Sequence, residues 1–122
     1  MKISWSELVE RLSEIRLKSV PEENDIHSLI AERLTECGIE FIHECRIAPR
    51  RRVDFLVGDI ALEVKKGRPA RAALLEQLAG YLETDMVSEI IVVTQRQVTL
   101  PRQIKGKPVH QLALDRMWGI AL

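Results

Sequence analysis

The chain has 122 residues, enough to bury one hydrophobic core and too few for two independent ones. Hydrophobic residues make up 46% and charged residues 30%, with no apolar run near the ~20 residues needed to cross a bilayer, so a globular protein outside the membrane is expected. The 18 basic and 18 acidic side chains cancel, which excludes a uniformly basic nucleic-acid-binding coat. Charge is nevertheless unevenly placed: Arg46, Arg50, Arg51, Arg52, Lys65, Lys66, Arg68 and Arg71 crowd one stretch, while acids dominate from Glu7 to Glu44. The first residues mix acids with apolar side chains and lack a secretion signal, which sets a cytoplasmic expectation. Cys37 and Cys45 have neither a second pair nor a histidine at zinc-finger spacing, so both are read as reduced thiols.

Ser4-Trp5-Ser6-Glu7 has the form of a capping box, and Trp5, Leu8, Leu12 and Ile15 follow at helical spacing. An amphipathic helix is predicted over about 4–19. Pro21-Glu22-Glu23 suits the first turn of a second helix, whose buried stripe is Ile26, Ile30, Leu34 and Cys37 and whose C-terminal cap is Gly38. Ile39 to Ile47 alternates loosely as a strand. Val53, Phe55 and Val57, then Ile60, Leu62 and Val64, alternate across Gly58-Asp59, the pattern of a two-residue type II′ hairpin. Ala70 to Glu83 reads as a helix with Leu74, Leu78 and Tyr81 on one stripe. Ile90 to Val93 has the continuous apolar character of a central strand and should run parallel to the strand before that helix. Pro101, Gly106 and Pro108 punctuate the remainder before a short strand around Val109 to Ala113.

Counting outward from a Gly58-Asp59 turn sets Asp54 opposite Glu63, with Lys65 two residues on along the same face and Arg52 opposite it. At ~5 Å two carboxylates repel by roughly 3 kcal/mol at an effective dielectric near 20, and a divalent cation between them would offset that. Oxygen-only ligation suits Mg²⁺ or Mn²⁺ better than zinc. The same four charges also fit a cross-strand quartet on a wet face. Leu56 and Ala61, which share that face, argue that it is partly covered.

The order helix, strand, strand, strand, helix, strand over about 22–94, with Arg52-Val53-Asp54 and Glu63-Val64-Lys65, resembles the PD-(D/E)XK nuclease superfamily. That resemblance implies an α/β (α+β) fold with a restriction-endonuclease-like αβββαβ core, a mixed central sheet flanked by helices, and here an extra N-terminal helix, all in one domain over 1–122. It implies that Asp54, Glu63 and the Val64 carbonyl bind the catalytic Mg²⁺ (or Mn²⁺) and that Lys65 orients or activates the attacking water. Val53 stands where the superfamily's name has proline, as in many members.

Gln77 resembles the glutamine that several of these nucleases carry on the helix after the E-x-K strand, although a half-buried, hydrogen-bonded amide explains it equally simply. Glu23 is taken as the first-helix acid of the site, with Glu32 in reserve, and an acid that merely complements the helix dipole is the plain alternative. His27 lies one turn beyond Glu23 and within reach of the same site. Arg50, Arg51, Arg52, Lys66, Arg68 and Arg71 flank the motif strands where phosphates would approach, or else form an ordinary solvated face.

The expected activity is metal-dependent hydrolysis of DNA phosphodiesters, directed by DNA structure or by a partner protein rather than by extensive base reading. A Holliday-junction-resolvase-type homodimer joined through the N-terminal helix fits the same resemblance. A catalytically silent nucleic-acid-binding module, and an interaction subunit using the Trp5 to Ile15 stripe or the tail around Met117 and Trp118, are the competing classes.

Overall fold

The computed structural model describes residues 2–15 and 23–114, with Glu23 and Asn24 described as backbone only. Its elements in chain order are α1 (Trp5–Leu12), α2 (Glu23–Glu36), β1 (Ile42–Ala48), β2 (Arg51–Val57), β3 (Ile60–Lys65), α3 (Arg71–Tyr81), β4 (Glu89–Thr94), β5 (Gln103–Ile104) and β6 (Lys107–Ala113). The strands form one mixed sheet in the order β1-β2-β3-β4-β6-β5. β1, β2 and β3 are antiparallel neighbours, β4 runs parallel to β3 as expected, and β6 runs parallel to β4.

The helix boundaries have local causes. Ser4 Oγ accepts the Glu7 N–H at 3.2 Å, satisfying one open donor at the start of α1. At the end of α2, Gly38 takes φ +70°, its N–H donates to Thr35 O and the Ile39 N–H donates to Leu34 O. This is a Schellman ending, and it holds Ile39 outside β1, so the strand starts three residues later than the sequence pattern suggests. Between β2 and β3, φ is positive at Gly58 (+62°) but not at Asp59, the II′ pattern. The ladder beyond it pairs Val57 with Ile60, Leu56 with Ala61 and Phe55 with Leu62, the predicted register.

Apolar side chains fill both faces of the sheet. Leu8, Leu12, Ile15, Ile26, Ile30 and Leu34 from α1, α2 and the segment after α1 pack with Phe55, Val57, Leu62, Val64, Ile91 and Val93 on one side. On the other, Leu74, Leu78 and Tyr81 of α3 pack with Val53, Leu56, Ala61, Ile90 and Val92. The central strands therefore have no wet face.

Three expectations need correction. Helix α1 ends at Leu12 rather than near 19: Ser13 caps it, with the Ser13 N–H donating to Val9 O and Ser13 Oγ to Glu10 O. Residues 16–22 lie outside the described part. Trp5 does not join the α1 core stripe; it is 41% exposed and stacks on His110 of β6 with ring centroids 3.8 Å apart. The rest of that stripe is buried within the chain's own core, which removes it as a ready-made dimer surface. The tail also holds more structure than its punctuation suggests. Lys105 and Gly106 both take positive φ, the geometry of a type I′ turn, and join β5 to β6. Met117 and Trp118 lie outside the described residues. No helix among the described residues is long and apolar enough to cross a membrane.

Candidate active site

The β2–β3 ladder stops at Phe55–Leu62, one residue short of Asp54 and Glu63. Beyond that point carboxylates take over the role of backbone carbonyls. Asp54 Oδ2 accepts the Val64 N–H at 2.7 Å, and Glu63 Oε1 lies 3.4 Å from the Asp54 N–H. Local backbone geometry accounts for the change. Phe55 and Val57 point into the α1–α2 core, yet Val53, an even number of residues away, points into the α3 core. Cys45 makes the same switch relative to His43, which stacks on Phe55. The pleat is therefore inverted between these pairs, where Asp54 of β2 and Glu44 of β1 stand, and Glu44 takes the left-handed φ of +54°.

The expectation that Asp54, Glu63 and Lys65 share one face of a regular hairpin is corrected accordingly. The three are brought together, but Asp54 reaches sideways along the sheet, between the faces. The predicted Arg52–Lys65 opposition does not form, and Arg52 instead lies 3.8 Å from Glu44 at the surface.

Glu63 is only 3% exposed. Its Oε2 lies 3.3 Å from Lys65 Nζ and accepts the Tyr81 hydroxyl at 3.2 Å, and Tyr81 Oη in turn accepts from Gln77 Nε2 at 2.8 Å. Gln77 thus acts on the carboxylate through the tyrosine rather than by touching it. Burial, reinforced by the negative charge of Asp54, pushes the Glu63 carboxyl up to about 7 against the opposing pull of Lys65. Burial and the charge of Glu63 hold the Tyr81 phenol above its ordinary range, so it stays a donor. From the sequence, Tyr81 is expected only as a core residue. Its spacing of four from Gln77, one helical turn, is the signal that could have placed it at the site.

From the other face His27 of α2 brings Nε2 within 3.6 Å of Asp54 Oδ2, while its Nδ1 is 2.9 Å from His43 Nε2. Phe55 supports both rings, at centroid distances of 5.5 Å and 4.5 Å. Nothing in the neighbourhood of His43 marks it before the β1–β2 register is known. Glu32 is exposed on α2. Glu23 lies in the first turn of α2, and its side chain falls outside the described residues.

The basic residues divide. Arg50 sits exposed in the β1–β2 turn, Arg71 donates to Thr99 O, and Lys66 and Arg68 are exposed beyond β3. Gln95 fixes that exit from β3: its N–H donates to Lys65 O and its Oε1 accepts the Gly67 N–H. Arg51 lines a cleft of about 470 Å³ together with Lys65, Leu74, Glu76 and Gln77, beside the carboxylates. A larger cleft of about 690 Å³ opens at the far end of the hairpin, around Ile39, Phe41, Ile42 and Gly58, away from this cluster.

The donor set fits a hard cation in one respect and limits it in another. Two adjacent carboxylates, one of them buried and forced toward its neutral form, gain from an added positive charge. Among the described residues no group of three His, Cys, Asp or Glu side chains is placed to hold a metal ion. A cation here would rest on two carboxylates, a backbone carbonyl and water, a composition usual for Mg²⁺ and foreign to structural zinc. Comparison of the chain with models of protein families, with curated proteins and with solved structures finds no match.

Proposed function

We propose that the chain is a metal-dependent nuclease of the PD-(D/E)XK type that hydrolyses phosphodiester bonds in DNA. The observation that carries this reading is the meeting of Asp54, Glu63 and Lys65 at the open end of the β2–β3 ladder, with a buried glutamate 3.3 Å from a lysine ammonium. A purely structural cluster has no need of a buried carboxyl pushed toward its neutral form beside a second carboxylate.

Asp54, Glu63 and the Val64 carbonyl would hold Mg²⁺ or Mn²⁺. Such an ion, when bound, supplies neutralising charge to the phosphate and acidity to a coordinated water. The Val64 N–H holds Oδ2 of Asp54 at 2.7 Å, and His27 Nε2 stands 3.6 Å from the same oxygen. Tyr81, itself held by Gln77, orients Glu63 by donating to Oε2. Lys65 positions the attacking water and stabilises the charge that grows on the phosphate oxygens. Glu23 is the proposed additional acid from α2. The basic residues around the cleft would position the DNA backbone without reading its sequence, so the substrate would be chosen by structure or through a partner.

The test is incubation with supercoiled, linear, single-stranded and branched DNA in Mg²⁺, Mn²⁺ or EDTA, alongside Lys65→Ala. Cutting that requires the metal and falls by roughly 10²-fold or more in the variant is expected. Metal-independent cutting, or cutting unchanged by the substitution, would overturn the reading. DNA binding without any cutting would replace the enzyme with a nucleic-acid-binding module of the same fold.

A further inference from the structure

Helix α3 carries a notch at Gly80, and one arginine lies in it. A methyl group built on the Gly80 Cα would fall onto the guanidinium of Arg51, overlapping its carbon and two of its nitrogens. Gly80 is helical and buried, so the notch is not explained by a turn or a left-handed backbone. Glycine inside a helix costs about 1 kcal/mol relative to alanine. That cost is offset only if the missing Cβ is used, and here Arg51 uses it.

The guanidinium is not consumed by a partner. The Arg51 side chain makes no ion pair or hydrogen bond among the described residues, whereas those of Arg33, Arg46, Arg52 and Arg71 all meet carboxylates or carbonyls. It lines the cleft of about 470 Å³ that also exposes Lys65 and Gln77, with Ala70 and Ala73 leaving room along α3. Glu76, the acid in this lining, does not pair with it. A planar fork of N–H donors laid against a helix, exposed in a cleft that a second cation also lines, matches the needs of one phosphodiester oxygen pair.

We propose that Arg51, seated in the notch left by Gly80, binds a DNA backbone phosphate next to the one being cut, and that Gly80 is its positioning residue. This rests on the nuclease reading and adds to it the group that places the DNA and the residue that aims that group.

The experiment is a double-mutant cycle on the full chain: wild type, Arg51→Ala, Gly80→Ala and the double variant. Each is checked for folding by circular dichroism and titrated with a fluorescein-labelled branched DNA oligonucleotide in Ca²⁺ at several salt concentrations. Arg51→Ala should weaken binding about tenfold and lower the salt-dependence slope by about one counterion. Gly80→Ala should do much the same while it remains folded, because the displaced guanidinium no longer faces the cleft. In the Arg51→Ala background, Gly80→Ala should change binding less than twofold. Arg51→Lys, which keeps the charge but lacks the fork, should retain the slope and recover only part of the affinity. Equal losses from Gly80→Ala in both backgrounds would overturn the positioning role, and an unchanged salt slope in Arg51→Ala would overturn the phosphate contact. If wild type cuts DNA but the cycle is additive, only this inference fails; if wild type neither binds nor cuts DNA, the nuclease reading fails with it.

Discussion

Glu63 is a buried carboxyl under electrostatic tension. Its carboxyl titrates near 7 because burial and Asp54 both oppose ionisation more than Lys65 and Tyr81 favour it. A folded-state value raised above the unfolded 4.5 means that this group's contribution is fully present below about pH 4.5 and is lost as pH rises through about 7. The loss is on the order of 3 kcal/mol at most, because a tenfold change in an acid's ionisation constant corresponds to about 1.4 kcal/mol. Chemical denaturation of wild type and Glu63→Gln between pH 4.5 and 8 isolates it from the histidines. In EDTA the stability difference between wild type and variant should move against wild type as pH rises. Saturating Mg²⁺ should cancel or reverse that trend, since it binds the ionised pair. A difference that stays flat in EDTA would mean Glu63 is not under this strain. At this scale the nearness of Asp54 and Glu63 was legible because a two-residue turn sets them opposite each other, whereas the departure of Asp54 from the face of Glu63 and Lys65 was not. Tyr81 was not, because its ring belongs to the core stripe of α3 while only its hydroxyl reaches the site.

Within the elements, the site depends on β1 and β2 breaking their alternation at one paired position. Glu44 holds a left-handed backbone that costs a non-glycine residue roughly 1–2 kcal/mol. It faces the stretch where β2 turns Asp54 sideways toward the Val64 N–H. Glu44→Val therefore should destabilise the protein by roughly 1–2 kcal/mol even though valine is a good strand former and Glu44 is exposed, because a β-branched side chain tolerates positive φ worst. Glu44→Gly should be neutral or slightly stabilising, with relief of the backbone set against the entropy of glycine. Urea denaturation of both variants checks the pair, and valine equal to or better than glycine would refute the account. Period-2 reading could not have found this inversion, since it assumes the pleat it would need to detect. The same limit hid the β5–β6 turn: Lys105-Gly106 lacks the Asn-Gly or Asp-Gly signature, so its positive φ values were invisible. Helix ends were legible where chemistry marks them, at Ser4 and Gly38.

Across the whole molecule, the sheet is a shared wall between two apolar cores, and the candidate site lies in that wall with supporting side chains drawn from both sides. His27 approaches Asp54 from α2, and Tyr81 approaches Glu63 from α3. The parallel β4 was legible from its unbroken apolar run, which only a strand covered on both faces can carry. The direction and pairing of β6 were not, because its half-buried pattern fits several neighbours. This architecture predicts that neither face unfolds alone. Leu12 and Leu78 are both fully buried, one on each side. Truncating either to alanine should cost about 2–5 kcal/mol, out of a total of about 5–15 kcal/mol for a domain of this kind. The reporter is Trp5, which stacks on His110 over the α1 side, followed by its emission in a Trp118→Phe background. Leu78→Ala, on the opposite face, should shift the Trp5 transition as far as it shifts the far-ultraviolet circular dichroism, and Leu12→Ala should do likewise. A Trp5 transition that moves with Leu12→Ala but ignores Leu78→Ala would show two separable halves. A site assembled across the sheet would then have to tolerate the loss of Tyr81 while His27 stayed in place, and its geometry could not be held by the fold as a unit.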